Sequence, residues 1–130
     1  QWLEVLNVNS IAPLMLAQAL QSNLSAKRGT FAVLSSRMGS IEGNDEGSLY
    51  LYRSSKAAVN QVVKSLSIDL KKLGINVVAL HPGWVQTDMG GANASINTQT
   101  SVNGLRKVLA QISPRDSGRF INYDGTAIAW

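Results

Sequence analysis

Apolar residues recur at helical spacing over residues 2–26, where Leu14, Leu16, Ala17, Leu20 and Leu24 fall near one face. Asn9 and Pro13 interrupt the run, which predicts a helix kinked near residue 9, with Gly29 as its stop. Thr30–Ser36 (TFAVLSS) is a short apolar run with β-branched and aromatic residues and predicts a buried strand. Residues 37–48 hold Gly39, Gly43, Asn44, Asp45 and Gly47, the chemistry of a loop. Helical spacing returns over 49–73 through Ala58, Val59, Val62, Val63, Leu66 and Leu70, closed by Gly74. Ile75–Leu80 reads as a second buried strand, broken by His81-Pro82-Gly83. Residues 86–101 are polar and glycine-rich and predict a mobile loop. Val102–Ile112 predicts a third helix capped by Ser101, and Arg119–Tyr123 a last strand after a turn bracketed by Pro114 and Gly118.

The order helix, strand, helix, strand, helix, strand predicts an α/β fold with a parallel sheet covered on both faces. With right-handed crossovers it is the C-terminal half of a doubly wound, Rossmann-like sheet, so residues 1–130 form one partial domain. Ligands of such sheets sit at the carboxyl ends of strands. The loops after Ser36 and Leu80 and the segment around Tyr52 are predicted to converge at that edge.

Composition narrows the classes. At 45% hydrophobic and 15% charged, the chain suits a packed globular domain. No window holds the roughly 18 unbroken apolar residues of a membrane helix, so no membrane partner is expected. Cysteine is absent, which excludes disulfides, thiolate zinc sites and a cysteine nucleophile and fits a reducing, cytoplasmic setting. The net charge is +4, but the basic residues are scattered. The adjacent pairs Lys27-Arg28 and Lys71-Lys72 lie at predicted helix ends, so nucleic acid is not an expected partner. The chain opens at Gln1 inside an amphipathic pattern, which predicts a preceding segment.

Tyr52 and Lys56 stand four residues apart at the start of a helix, hence on one face. A phenol, with a reference pKa near 10, is a poor acid at neutral pH; a neighbouring ammonium and a helix N-terminus both favour the phenolate. Such a tyrosine can exchange protons with a carbonyl or hydroxyl oxygen. Ser35-Ser36 ends the adjacent strand and offers a hydroxyl to the same oxygen. Pro82-Gly83 follows the next strand, where glycine permits close approach of a flat ring, and Thr87 adds a hydroxyl. Asn9, at the kink, is a polar group able to bind water. Each feature alone also has an ordinary structural reading: a turn serine, a strand-ending loop, a helix defect. A Ser36–His81 hydrolytic pair lacks the G-x-S-x-G elbow, and a single histidine makes no zinc site.

The succession Asn9, Ser36, Tyr52, Lys56, Pro82-Gly83, Thr87 resembles the short-chain dehydrogenase/reductases. It is carried by NVNS (7–10), VLSSRMGSI (33–41), YRSSKAAVN (52–60), INVVALHPGWVQTDMGG (75–91) and RFINYDG (119–125). The text looks most like the sniffer/C-factor-like carbonyl reductase branch. The resemblance implies an oxidoreductase that passes hydride between NADP or NAD, with NADP favoured, and a small carbonyl or alcohol substrate. It implies Tyr52 as general acid/base, Lys56 on the nicotinamide ribose, and Ser36 rather than Ser35 orienting the substrate oxygen. Asn9 would hold a relay water near Lys56. Tyr52, Lys56, Pro82, Gly83, Val85 and Thr87 would line the cofactor, and Met38, Ile41 and Trp84 the substrate pocket; no metal is implied. It further implies a homodimer or homotetramer formed through the two long helices. The family's Thr-Gly-x-x-x-Gly-x-Gly turn is absent, so the dinucleotide-binding half is expected to precede Gln1, and residues 1–130 alone are expected to bind cofactor poorly, turn over little and expose sheet edge and apolar helix surface. The competing expectation is a non-catalytic fragment or a signalling or scaffold protein that retains the fold.

Overall fold

A computed structural model describes all of residues 1–130. Helix α1 (Trp2–Leu6) runs through a π-turn (Asn7–Ile11) into α2 (Ala12–Lys27). The predicted kink is thus a π-bulge centred on Asn9, and Pro13, which follows it inside the continuous helix, has no N–H to give the preceding turn, which is where the ladder changes register. The helix ends on Arg28 in the left-handed conformation (φ 48°), while the Gly29 N–H bonds the Leu24 carbonyl at 2.8 Å. The left-handed residue is therefore Arg28, not the glycine the sequence pointed to.

Strand β1 (Thr30–Leu34) stops two residues short of the predicted end. After it, Arg37–Gly39 form one 3₁₀ turn, then α3 (Tyr50–Asp69) and a second 3₁₀ turn (Lys71–Leu73) lead to Gly74 at φ 72°. Strand β2 (Asn76–His81) includes His81, which the sequence had placed in the break. Helix α4 (Thr98–Gln111) begins four residues earlier than predicted, on Asn97, whose side chain accepts the Thr100 N–H at 2.8 Å. Ser101 is consequently not a cap: it is buried inside the helix and donates to the Pro82 carbonyl at 2.6 Å. The preceding loop is tied down by paired Val85 and Ile96 and by Gln86 reaching the Ala94 carbonyl, rather than free as its polarity suggested. Strand β3 is Phe120–Asn122.

The sheet is parallel, in the order β1-β2-β3. Phe31, Val33, Val77, Ala79 and Phe120 point to the face that packs Ala17 of α2 and Val59, Val63 and Leu66 of α3. Val78, Leu80 and Ile121 point to the other face, against Val108 of α4. Both strand-to-strand steps run in the same direction, yet their helices lie on opposite faces. The two crossovers therefore have opposite hands, and the expectation that all are right-handed is corrected by this packing. Phe120 stacks on Trp130 with centroids 5.6 Å apart, and the Ile128 N–H bonds the Phe120 carbonyl, so the last residues close this core.

Coverage is uneven. Helix α4 shields β2 and β3 only; Ala32 and Leu34 stay exposed on that face, Leu34 at 56%, and no strand pairs with the outer edge of β1. Val8, Ile11 and Met15 are exposed along the first helix. Trp2–Lys27 is long and apolar enough to cross a membrane by length and composition, which amends the reading that no segment is. Its docked side is polar and specific, however: Asn9 and Ser10 hydrogen-bond Ser55, and Ala17 is fully buried.

Candidate functional site

The carboxyl end of β1 meets the first two turns of α3. Lys56 Nζ donates to the carbonyl of Leu34, the last residue of β1, at 3.2 Å, and lies 5.9 Å from the centre of the Tyr52 ring, within cation–π range. The ammonium is half-buried with no carboxylate beside it, and burial pulls its pKa below the ordinary lysine value. The Tyr52 hydroxyl makes no hydrogen bond within the chain, and none joins it to Lys56 or Ser36.

The two serines are separated by their partners. Ser35 is buried and donates to Asn60 Oδ1 at 2.6 Å, while Asn60 Nδ2 donates to the Gly39 carbonyl at 3.2 Å. That bridge binds the loop to α3. Ser36 Oγ accepts the Met38 N–H at 3.2 Å, capping the 3₁₀ turn, and its own O–H is not donated within the chain. Gly39 is required by proximity, since an added Cβ would stand 2.8 Å from both the carbonyl carbon and the Cβ of Lys56.

Asn9 reaches the same region from the π-bulge. Its Nδ2 donates to Ser55 Oγ at 3.1 Å, and Ser55 Oγ donates to the Tyr52 carbonyl at 2.9 Å. Asn9 thus braces the first turn of α3, and no hydrogen bond links it to Lys56. The small residue Ser55 serves this contact inside the chain. The approach to α3 is bent: Gly47, Ser48 and Leu49 all have positive φ, at 67°, 54° and 46°. Arg53 Nε donates to the Gly47 carbonyl at 2.8 Å and holds that bend.

The Pro82–Thr87 segment lies beyond β2. Gly83 has φ 87°, and a Cβ there would come within 2.6 Å of Ile96 Cδ1 and 2.9 Å of the Tyr123 ring. Its freedom is thus already used by neighbours within the chain. Thr87 Oγ1 accepts the Gly90 N–H at 3.1 Å, and Trp84 Nε1 donates to the Gly90 carbonyl at 2.9 Å. Val85 is half-buried and paired with Ile96. Met38 is half-buried, while Ile41 and Trp84 are largely exposed and so are not core. A groove of about 490 Å³ lies elsewhere, between α4 and the turn after β3, lined by Asn103, Lys107, Tyr123 and Asp124 among others.

Sequence reasoning passed over Asn60, read Gly39 only as loop chemistry, and gave His81 no more than local packing beside Pro82. Asn60 was detectable: it sits in the apolar stripe Val59–Val63–Leu66, and a polar residue there needs a partner. His81 Nδ1 accepts the Arg37 N–H at 3.2 Å, a contact no spacing announces.

Comparison with known proteins places this geometry. A family model described as short chain dehydrogenase matches residues 1–96. The C-signal protein of Myxococcus xanthus is 44% identical over 126 residues, covering 95% of this chain and 75% of that protein. The 1-hydroxy-2-glutathionyl-2-methyl-3-butene dehydrogenase of Rhodococcus sp. (strain AD45) is 37% identical and covers 96% of this chain but 57% of its own length. Carbonyl reductase Sniffer of D. melanogaster superposes with a TM-score of 0.95 at 40% identity, over 98% of this chain and 56% of that one. An NADPH-bound carbonyl reductase from chicken fatty liver gives 0.90 at 38% identity, over 99% and 57%. The chain therefore spans little more than half the length of several relatives. With a parallel α/β sheet, the Tyr52–Lys56 pair at its carboxyl edge and a family match over most of its length, this chain belongs to the short-chain dehydrogenase family.

Proposed function

We propose that residues 1–130 are the catalytic half of an NADP- or NAD-dependent carbonyl reductase whose dinucleotide-binding half precedes Gln1. The observation that carries this reading is the Lys56 ammonium on the Leu34 carbonyl, 5.9 Å from the Tyr52 ring. It sets a phenol and a cation side by side where β1 delivers Ser36. The unpaired edge of β1 and the exposed Ala32 and Leu34 are the surfaces such a half would cover.

The residues suit the nicotinamide end of the cofactor. Lys56 uses one N–H on Leu34 and keeps two donors for ribose hydroxyls. Pro82, Gly83, Val85 and Thr87 flank the same edge from β2, where Thr87 still has a lone pair beyond its turn contact. A reduced nicotinamide held by these residues would supply the hydride for the carbonyl carbon. Tyr52 gives its phenolic proton to the carbonyl oxygen as that oxygen gains charge, and the Ser36 O–H donates to the same oxygen. The half-buried Lys56 ammonium, beside the Tyr52 ring, supplies positive charge next to the oxygen that gives up the proton. Asn9, through Ser55, holds the Tyr52 turn, and its place beside the π-bulge suits the relay water expected near Lys56. Met38, Ile41 and Trp84 offer the substrate an apolar wall. The exposed faces of α1, α2 and α3 are the proposed homo-oligomer contact, in a cytoplasmic protein.

The test is Tyr52→Phe in the full-length protein, assayed for NAD(P)H-dependent reduction of small carbonyls. Loss of kcat by about 10²–10⁴ is expected; retained activity would overturn the assignment. Calorimetry of residues 1–130 with NADPH should show no micromolar binding, and micromolar affinity would overturn the division into halves. The second reading, a signalling protein that keeps the fold, draws on the name of the Myxococcus xanthus relative. It requires an intact fold and no carbonyl reduction in the full-length wild type.

A further inference from the structure

The end of the β1–β2 ladder has an unusual acceptor. The Ser35 N–H bonds the Leu80 carbonyl at 2.8 Å, as a regular parallel pair requires. Two residues on, the next ladder bond would run from the Arg37 N–H to the Pro82 carbonyl. That carbonyl instead accepts Ser101 Oγ at 2.6 Å. The Arg37 N–H instead bonds His81 Nδ1 at 3.2 Å. Ser36 is therefore bracketed by two tethers to β2, one through backbone and one through an imidazole, with its Oγ pinned by the Met38 N–H.

We propose that His81 is a positioning residue, whose neutral imidazole takes the Arg37 N–H in place of the Pro82 ladder carbonyl and fixes the backbone that aims the Ser36 hydroxyl. The inference rests on the reading of Ser36 as the group that orients the substrate oxygen. The tether works only while Nδ1 carries no proton, since a protonated Nδ1 would face another donor. The surroundings keep it that way. Burial and the Arg37 guanidinium on the 3₁₀ turn lower the His81 pKa to about 4, against a smaller opposite pull from the Asp124 carboxylate after β3. From α4 the neighbour beside Pro82 is Ser101, which is uncharged.

The experiment compares His81→Asn, His81→Gln and His81→Leu in the full-length protein. An Asn Oδ1 takes the place of Nδ1, whereas a Gln oxygen reaches the place of Nε2. Leu and Gln should lower kcat for carbonyl reduction about tenfold with cofactor KM little changed, and Asn should recover most of it. Equal activity in all three, or equal loss, would overturn the proposal. In the wild type, the Arg37 amide resonance should titrate together with the imidazole, near pH 4, and should cease to do so in His81→Asn. An Arg37 amide blind to imidazole protonation would also overturn it, and this measurement stands even if His81→Leu fails to fold. Ser36→Ala separates the two ideas. Full activity there would refute the role of Ser36 that the proposal needs, whatever the Arg37 amide does.

Discussion

Gly39→Ala should uncouple the loop after β1 from helix α3. The added methyl would lie 2.8 Å from the carbonyl carbon and Cβ of Lys56 and 3.0 Å from Asn60 Nδ2. Carbon atoms sit comfortably at roughly 3.5–4.0 Å, so the deficit is about 0.7 Å or more on two atoms. One of those atoms is backbone inside a continuous helix and cannot give way alone. The loop must yield, and the bond from Asn60 to the Gly39 carbonyl goes with it. Overpacking costs about 1–3 kcal/mol and the lost buried bond about 0.5–1.5 kcal/mol, so a loss of about 2–4 kcal/mol is expected. Urea unfolding followed by circular dichroism should show a lower midpoint at unchanged slope. Gly43→Ala is the internal control, because its Cβ would meet only Ser40 side-chain atoms, at 3.1 and 3.6 Å. A Gly39→Ala variant as stable as Gly43→Ala would refute the claim that close approach to α3 fixes this residue.

Ser35→Ala should destabilise by about 1–3 kcal/mol in the same assay, since it strands the buried Asn60 oxygen, while Ser36→Ala should cost less stability and more activity. A reversed order would show that the two serines have been assigned to the wrong tasks. Stability should also fall as pH drops from about 6.5 to about 4, because the unfolded chain protonates His81 over that range and the folded chain does not. It is fully present above that window, and His81→Asn should flatten the segment. The depressed carboxyl of Asp116, held low by Ser113 and Arg119, contributes above the ordinary carboxylate range and is lost only in stronger acid.

The elements were legible in the sequence because periodicity reports burial, and burial is what a parallel sheet imposes on β2. The failures fall where a contact overrides a local signal. Asn97 caps α4 because it precedes Thr98 in extended geometry, and the serine that looked like a cap is turned inward by the Pro82 carbonyl. Crossover hand was not legible, since nothing in a strand–helix–strand pattern states which face the last helix takes; only the pairing of Val108 with Val78 and Ile121 does. Tyr52 and Lys56 were legible as an i, i+4 pair on one helix. The Ser35–Asn60 bridge was not, because its members are 25 residues apart and join only after the strand and helix have packed.

That bridge also bears on the proposed choice of Ser36 over Ser35. Of two adjacent hydroxyls at a strand end, one must face the covering helix and the other away from it, because side chains alternate along extended backbone. Ser35 follows the parity of Phe31 and Val33, the residues that face α2 and α3, and its hydroxyl is consumed there by Asn60. Ser36 inherits the opposite side together with the exposed Ala32 and Leu34, and keeps an undonated O–H. Ser36 is buried, but of the two serines that follow the strand it is the one whose O–H no partner takes. In the proposed reaction the substrate oxygen would meet Ser36 and not Ser35, because the parity that fills the core commits the Ser35 hydroxyl to Asn60.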